Sequence, residues 1–233
     1  MKGRAIGAFF VVGALCACYF LLEGSLFVPF IVVCLTIGLC EIHTTMELYP
    51  CNFRSDYRFR ASVPIECGIF IFAIPCAIFA GHKLAALAVA ACCVSDTAAF
   101  TFGSLFGKHN RVKCLADISP KKSWAGFIAG AILPIPAVIG LAHWMGIFET
   151  ENRITIICFA CIAGLVAEIG DLIESAAKRT LQVKDSGDAL AITFPFGFVE
   201  LPLRGHGGYL DRFDSSALSI MTLSVLRAII AKT

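Results

Sequence analysis

The amino-acid sequence predicts an all-α, polytopic integral membrane protein with about seven transmembrane helices. Of its 233 residues, 58% are hydrophobic and 15% are charged, whereas soluble domains carry about 25% charged residues. The mean hydropathy is +0.82. Apolar stretches of about twenty residues, the length that crosses a bilayer, lie at 5–22, 26–48, 62–80, 84–106, 124–147, 153–177 and 215–231.

The first apolar stretch follows Lys2 and Arg4 and could be a signal peptide. It is long for the apolar region of a signal peptide, and no clear cleavage site of small residues follows it. We therefore expect 5–22 to be a retained first span.

The basic residues are concentrated in three connections, at 49–61, 107–123 and 178–214. With the N-terminus inside, these connections share one face of the membrane, and the positive-inside rule assigns that face to the cytoplasm. We therefore expect a protein of the cell inner or plasma membrane whose active site lies on the cytoplasmic side. The net charge of +2 gives no support for nucleic-acid binding.

The sixth predicted span ends in a group of charged residues. Its residues Glu168, Asp171, Ser175 and Lys178 follow helical spacing and should share a face, and Glu174 lies on a neighbouring stripe. Carboxylates near a membrane boundary suit a hard divalent cation, which takes oxygen ligands. The alternative is an internal ion pair of Asp171 or Glu174 with Lys178, and spacing alone does not decide between the two.

A glycine-rich turn precedes the last span. The run Gly205-His206-Gly207-Gly208 can approach a ligand closely and form an anion-binding nest. It is followed by Asp211-Arg212-x-Asp214, in which the two aspartates can face the same way on a helix. The alternative is that Asp211, Asp214 or Ser215 caps the last helix. His206 could be a general base, a ligand or a structural donor.

Asp96 lies halfway along the fourth predicted span, within Ser95-Asp96-Thr97. An ionisable residue inside an apolar span is a functional candidate by default. The alternative is an aspartate that is hydrogen-bonded in a helix–helix contact.

The connection before the fifth span contains Lys121, Lys122 and Trp124. Paired lysines beside a tryptophan are typical of a membrane anchor at the interface, and they could also clamp a phosphate. Composition alone favours the anchor. Ser119 or Ser123 could cap the helix that follows.

Two motifs occupy the last third of the chain. They are Ser175-x-x-Lys178-Arg179-x4-Lys184-Asp185-Ser186-Gly187 and His206-Gly207-Gly208-x-x-Asp211-Arg212-x-Asp214. Together they resemble the signature of the phosphatidate cytidylyltransferases (CDP-diacylglycerol synthases). Upstream motifs similar to those of that family occur in the right order, namely Ser95-Asp96-Thr97, Phe106-Gly107-Lys108-His109 and Ile118-Ser119-Pro120-Lys121-Lys122-Ser123-Trp124.

The resemblance implies a nucleotidyltransferase that makes CDP-diacylglycerol and pyrophosphate from CTP and phosphatidic acid at the membrane lipid. It implies Mg²⁺ as cofactor, to which a second cation could be added. Asp171 and Asp211 would be the main metal ligands with Asp214 near them, and Lys178 would act with them in catalysis. The substrate-binding residues would be Asp96, Lys121, Lys122, Ser175, Arg179, Lys184, Asp185, His206, Gly207, Gly208 and Arg212.

The resemblance spans about residues 94–215 and suggests a division into N-terminal transmembrane helices at 1–90 and a catalytic membrane region at 91–233. The sequence departs from the family pattern in three ways. Residues 188–204 replace a short link, Ala125 stands where the family usually has Glu, and the chain is short for the family. The sequence leaves open whether the protein forms a homodimer.

Other functions compete with this hypothesis. A related CTP-dependent lipid enzyme, such as a CDP-archaeol synthase or a polyprenol or phytol kinase, would use similar residues. A membrane transporter could route ions past Asp96, Asp171 and Asp211, but transporters usually spread such acids across the membrane depth. An inactive homologue is the third alternative, given the 188–204 insertion and Ala125.

Overall fold

The computed structural model describes residues 26–48, 61–107, 112, 119, 122–181 and 210–232, apart from the side chains at 47–48 and 210–212. Helices dominate these ranges, which confirms the all-α prediction. In chain order they are α1 (Phe27–Leu48), α2 (Ser62–Phe106), α3 (Trp124–Ile132), α4 (Pro134–Trp144), α5 (Ile147–Thr150), α6 (Arg153–Leu181) and α7 (Leu210–Ile230).

Five helical segments within the described ranges are long and apolar enough to cross a membrane, so the chain is an integral membrane protein. The predicted spans 62–80 and 84–106 together form α2, and 124–147 is divided between α3 and α4. The last helix begins at Leu210, earlier than predicted. The first predicted span, 5–22, lies outside the described residues, so the total of seven stays a prediction.

Helix α2 reverses direction at Gly81. It contains 45 residues, which at 1.5 Å each would extend about 68 Å, more than twice the hydrocarbon thickness of a bilayer. Gly81 has φ 77° and ψ 175°, a conformation that glycine adopts without a steric penalty. It divides α2 into a first arm (62–80) and a second arm (82–106), which correspond to the two predicted spans.

Contacts with α7 show how the two arms run. Ser224 Oγ donates a hydrogen bond to the Cys76 carbonyl oxygen at 3.1 Å, on the first arm. Five residues earlier in α7, Ser219 Oγ lies 3.0 Å from Cys92 Sγ, on the second arm. Going along α7 from Ser219 to Ser224, the contacted residue of α2 lies nearer in sequence to Gly81. The arms therefore form a hairpin whose turn lies beside the C-terminal end of α7.

The bundle therefore has two distinct ends. The turn end contains Gly81 and the connection 145–152 that leads into α6. The loop end is where the first arm begins, the second arm and α6 end, and α3 and α7 begin. There, Ser62 Oγ lies 3.4 Å from Thr180 Oγ1, which ties the start of α2 to the last turn of α6. The three basic connections of the sequence all adjoin the loop end.

Glycines allow the helix backbones around the loop end to approach closely. A Cβ atom on Gly170 of α6 would lie 2.7 Å from Ser215 Cα of α7, and one on Gly126 of α3 would lie 2.7 Å from the Ala99 carbonyl oxygen of the second arm. Small residues at helix contacts are typical of membrane bundles, where close backbone approach drives association. These contacts fix how near the charged side chains of different helices come to one another.

Candidate active site at the loop end

Lys122 has a well-defined backbone position at the loop end. Its N–H donates to the Ser119 carbonyl oxygen at 3.2 Å, and its carbonyl oxygen accepts from Val112 N at 3.0 Å. The next residue, Ser123, is the N-cap of α3, and its side chain accepts a hydrogen bond from Gly126 N at 3.2 Å. This confirms one of the two predicted caps.

The side chain of Lys122 points into the bundle. Its Nζ lies 2.6 Å from Glu168 Oε2 and 2.8 Å from Asp171 Oδ2, and the side chain is 10% exposed. Burial opposes the charged form, but the carboxylates of Asp171 and Glu168 outweigh it and raise the pKa of Lys122 above its usual value. The expectation that Lys122 anchors the loop to lipid headgroups was wrong, because the ammonium is held by carboxylates of α6.

Glu168 occupies a space that helix α3 leaves open. Its side chain is 4% exposed, and a Cβ atom on Gly130 of α3 would collide with its Oε1. Gly130 is itself held from the second arm, since Ser95 Oγ donates to its carbonyl oxygen at 3.0 Å. A buried carboxylate within a span is costly unless it is paired, and Lys122 supplies that pairing.

A group of three carboxylates lies beside Lys122. Asp171 and Glu174 of α6 and Asp214 of α7 each offer a ligand oxygen, and these oxygens lie within 4.8 Å of one another. Opposite oxygens around a Mg²⁺ are about 4.2 Å apart, because each bond is about 2.1 Å long. The donor set and its spacing therefore fit a hard divalent cation, and the close contact at Gly170 is what brings α6 and α7 together there.

Lys178 pairs with one member of this group. Its Nζ lies 2.6 Å from Glu174 Oε1 one turn earlier in α6. The structure thus contains the internal ion pair that was the alternative to a metal site. The ion pair and the carboxylate group coexist, because they share Glu174.

Two further carboxylates belong to the same region. Asp96 of the second arm interacts electrostatically with Asp171, Glu168 and Lys122. Glu66 of the first arm is 1% exposed and interacts electrostatically with Asp214 and Lys178. Within the described part of the chain, neither Oε atom of Glu66 has a hydrogen-bond partner.

Several of the predicted site residues come together and others fall outside the described residues. Asp96, Lys122, Asp171, Lys178 and Asp214 lie together. In the last turns of α6, Ser175 is half-buried and Arg179 is exposed. The candidates outside the described residues are Lys121, Lys184, Asp185, His206, Gly207 and Gly208, together with the 188–204 insertion and the side chains of Asp211 and Arg212.

The alternative in which Asp211, Asp214 or Ser215 caps the last helix is wrong. Because α7 begins at Leu210, Asp211, Asp214 and Ser215 lie inside the helix, and none of them is its N-cap. This places Asp214 one turn into α7, where it faces Asp171 and Glu174.

Sequence reasoning missed Glu66, and it noted Glu168 and Glu174 on α6 without assigning either a role in the site. Glu66 could have been found by the criterion that identified Asp96, an ionisable residue inside an apolar span. Glu168 and Glu174 were placed near the right helix face, but spacing gave no indication of their partners on other helices.

Comparisons with known proteins bear on the family of this chain. A sequence profile of the Cytidylyltransferase family matches residues 61–230. The phosphatidate cytidylyltransferase of Staphylococcus aureus (strain COL) is 35% identical over 133 residues, which cover 57% of this chain and 44% of that protein. The phosphatidate cytidylyltransferase of Rickettsia conorii is 33% identical over 133 residues, covering 54% of this chain and 52% of that protein.

The chain spans about half the length of the curated relatives it matches. No solved structure matches it. The profile match nevertheless extends over most of the chain and includes every helix that contributes a carboxylate or lysine to the loop end. The chain therefore belongs to the cytidylyltransferase family.

Proposed function

We propose that this chain is a CTP:phosphatidate cytidylyltransferase, which makes CDP-diacylglycerol and pyrophosphate from CTP and phosphatidic acid. One observation carries the proposal: Asp171, Glu174 and Asp214 converge beside the ammonium groups of Lys122 and Lys178 in a member of this family. The names of the relatives support phosphatidate as the lipid substrate.

The reaction needs alignment and charge neutralisation more than proton transfer. The phosphate of phosphatidate is already anionic, so its oxygen can attack the α-phosphorus of CTP without a strong general base. A new P–O bond forms, the bond from the α-phosphorus to the oxygen that bridges to the β-phosphorus breaks, and pyrophosphate leaves. Positioned positive charges stabilise the transition state of such transfers.

The carboxylate group would hold the metal. Asp171, Glu174 and Asp214 would bind Mg²⁺ together with Asp211, which the family signature adds. When bound, Mg²⁺ supplies positive charge that stabilises the anionic phosphates. Carboxylates outnumber lysines among the described residues of the loop end, which supports the binding of at least one cation, and a second could join it.

The lysines would bind phosphate groups. Lys178 lies beside the carboxylate group through Glu174, and Lys122 lies beside it through Asp171. Both ammonium groups can therefore contact a phosphate that is bound to the same cation. The other substrate contacts implied by the signature stay part of this proposal.

The proposed active site faces the cytoplasm. The basic connections 49–61, 107–123 and 178–214 adjoin the loop end, and the positive-inside rule assigns them to the cytoplasm. CTP would arrive from the cytoplasm and phosphatidic acid from within the membrane of the cell. On this proposal, residues 91–233 form the catalytic region and 1–90 add transmembrane helices.

A transporter would place its acids across the membrane depth. Here Asp96, Asp171 and Asp214 interact with one another near one end of the bundle. Their arrangement favours an enzyme at the membrane surface.

The test is incorporation of label into lipid. The purified chain in detergent would be incubated with α-³²P-CTP, phosphatidic acid and Mg²⁺, and pyrophosphate would be measured beside the labelled lipid. We expect label in the lipid phase that depends on both phosphatidate and Mg²⁺, with equimolar pyrophosphate. Transfer of label from γ-³²P-CTP to a lipid would indicate a kinase instead.

Asp211→Asn provides the matched control. We expect this variant to lose turnover while it folds in the membrane like the parent chain. Normal activity in Asp211→Asn would remove Asp211 from the mechanism, and no labelled lipid from the folded parent chain would overturn the proposed function.

A further inference from the structure

The two carboxylates that pair with Lys122 differ in their exposure to solvent. The side chain of Asp171 is 46% exposed and that of Glu168 is 4% exposed. Asp171 belongs to the group of carboxylates that can hold a cation, and Glu168 lies outside that group. Lys122 is therefore shared between a candidate metal ligand and a buried carboxylate that stays available to it.

A divalent cation at Asp171 would repel the neighbouring ammonium, because like charges a few ångströms apart interact strongly where water is largely excluded. Glu168 would then be the residue in direct contact with Lys122 Nζ, through its carboxylate at 2.6 Å and its carbonyl oxygen at 3.4 Å. We infer that Glu168 is a positioning residue, which retains Lys122 beside the carboxylate group when a divalent cation occupies Asp171. Lys122 then faces a phosphate of the nucleotide, and this last step rests on the proposed function.

The position of Glu168 is fixed by its neighbours. Its carboxylate fits beside Gly130 because that residue has no side chain, and Ser95 fixes Gly130 from the second arm. The backbone of Lys122 is held by Ser119 and Val112. Because both the backbone and the buried partner are fixed, the loss of the contact with Asp171 need not release the lysine.

Chemical labelling of Lys122 tests this retention without relying on turnover. The purified chain in detergent would be treated with a water-soluble acylating reagent, with and without Mg²⁺, and acylation at Lys122 would be followed by mass spectrometry. The reagent has to reach the amine, so a lysine whose side chain is 10% exposed and held against carboxylates reacts slowly. Lys232, exposed beyond the end of α7, serves as the internal reference.

We expect Lys122 of the parent chain to stay protected whether or not Mg²⁺ is present. In Glu168→Gln, Mg²⁺ should accelerate acylation of Lys122 about tenfold, roughly the effect of losing one charged hydrogen bond. An equal acceleration by Mg²⁺ in the parent chain would overturn the inference. So would a Glu168→Gln variant in which Lys122 stays protected with Mg²⁺ bound.

A second variant retains the Glu168 carboxylate but displaces it from its present position. Gly130→Ala places a methyl group where Glu168 Oε1 now lies, so we expect the same Mg²⁺-dependent acylation at smaller amplitude. Gly140→Ala is the control, because a Cβ at Gly140 of α4 would have no neighbour within 4 Å. If acylation of Lys122 in Gly130→Ala and in Gly140→Ala matches that of the parent chain, the space beside Gly130 does not position Glu168.

Kinetics separate positioning from a purely structural ion pair. In Glu168→Gln we expect KM for CTP to rise about tenfold while kcat changes little, because the loss is in binding a phosphate. A structural pair would instead lower the amount of folded protein and leave KM unchanged. If labelled lipid is absent but the acylation pattern holds, the proposed function fails and the retention of Lys122 stands.

Discussion

The loop end and the turn end of the bundle both contain ion pairs, yet their charges are balanced differently. At the turn end, Arg227 Nη2 lies 2.7 Å from Glu151 Oε1. Arg227 Nη1 also donates to the Phe79 carbonyl oxygen at 3.0 Å, and the guanidinium carbon lies 5.2 Å from the centre of the Phe79 ring. In this cluster one acid meets one base, and the base makes further contacts with the backbone and an aromatic ring.

Among the described residues of the loop end, the carboxylates exceed the lysines that contact them. Lys122 is shared by Glu168 and Asp171, Lys178 pairs with Glu174, and Asp214 interacts with further carboxylates. A membrane protein keeps uncompensated buried charge at a cost. The comparison indicates that the turn end stabilises the fold, whereas the described residues of the loop end present grouped carboxylates that could hold a metal ion.

Neutralising Asp214 should have the largest effect on activity. Asp214→Asn replaces a candidate metal ligand with a weaker one, and we expect activity to fall at least about 100-fold. Binding of Mn²⁺, measured by electron paramagnetic resonance, should weaken in parallel, while the yield of folded protein is kept because repulsion between buried carboxylates decreases. Glu151→Gln at the turn end is the control and should retain activity within about threefold. Equal losses in both variants would remove the distinction between the ends.

Separating α6 from α7 should have the next largest effect. Gly170→Ala introduces a Cβ atom 2.7 Å from Ser215 Cα, and backbone cannot yield as a flexible side chain can. We expect a loss of about 1–3 kcal/mol in stability and a fall in activity of more than about tenfold, because the carboxylates of the two helices move apart. Thermal unfolding and the lipid-labelling assay would measure both, with Gly140→Ala as the matched variant. Wild-type activity in Gly170→Ala would show that this contact does not set the site.

Breaking the ion pair at the turn end should lower the stability of the fold without changing the catalytic activity. Arg227→Met leaves Glu151 without this partner, and we expect a loss of about 1–2 kcal/mol, since the pair is only partly buried. Activity per folded molecule should be unchanged, and Arg227→Lys should recover part of the stability. Melting temperatures in detergent and activity normalised to folded protein would test this. A selective loss of activity would place Arg227 in the mechanism.

The smallest expected effect is on how stability depends on pH through the protonation of Lys122. Its pKa is raised above the ordinary value of 10.5, so the protonated form stabilises the fold. This contribution is complete below pH 10.5 and is lost as the pH rises through the higher folded-state pKa. The difference in melting temperature between the parent chain and Lys122→Met should therefore be constant from pH 7 to about 10 and shrink above that. A difference that shrinks below pH 9 would contradict the raised pKa.

The spans could be predicted from sequence because the bilayer imposes their length and composition. Helix α1 agrees with the predicted 26–48, and the two arms of α2 agree with 62–80 and 84–106. The interval between these two predicted spans contains Gly81, the residue at which α2 reverses direction. Every backbone polar group in the hydrocarbon must be satisfied within a helix or barrel, so long apolar runs leave little freedom in secondary structure.

The partners of the charged residues could not be predicted in the same way. Lys122 and Glu168 are 46 residues apart, and the composition around Lys122 equally described an anchor at the membrane surface. The direction of the lysine is set by Ser123 in its cap and by the space beside Gly130. Such contacts depend on helix packing, which a single sequence specifies only through small residues whose partners it does not name.

The hairpin turn at Gly81 has a mechanical consequence. Short connections and Arg227 join the helices at the turn end, so a relative tilt of one helix about that end would displace its other end much further. Over the roughly 30 Å of hydrocarbon thickness, a tilt of about 5° moves the opposite end by about 2.6 Å. A tilt that hardly moves Gly81 would thus displace a carboxylate at the loop end by more than the length of one Mg²⁺–O bond, about 2.1 Å.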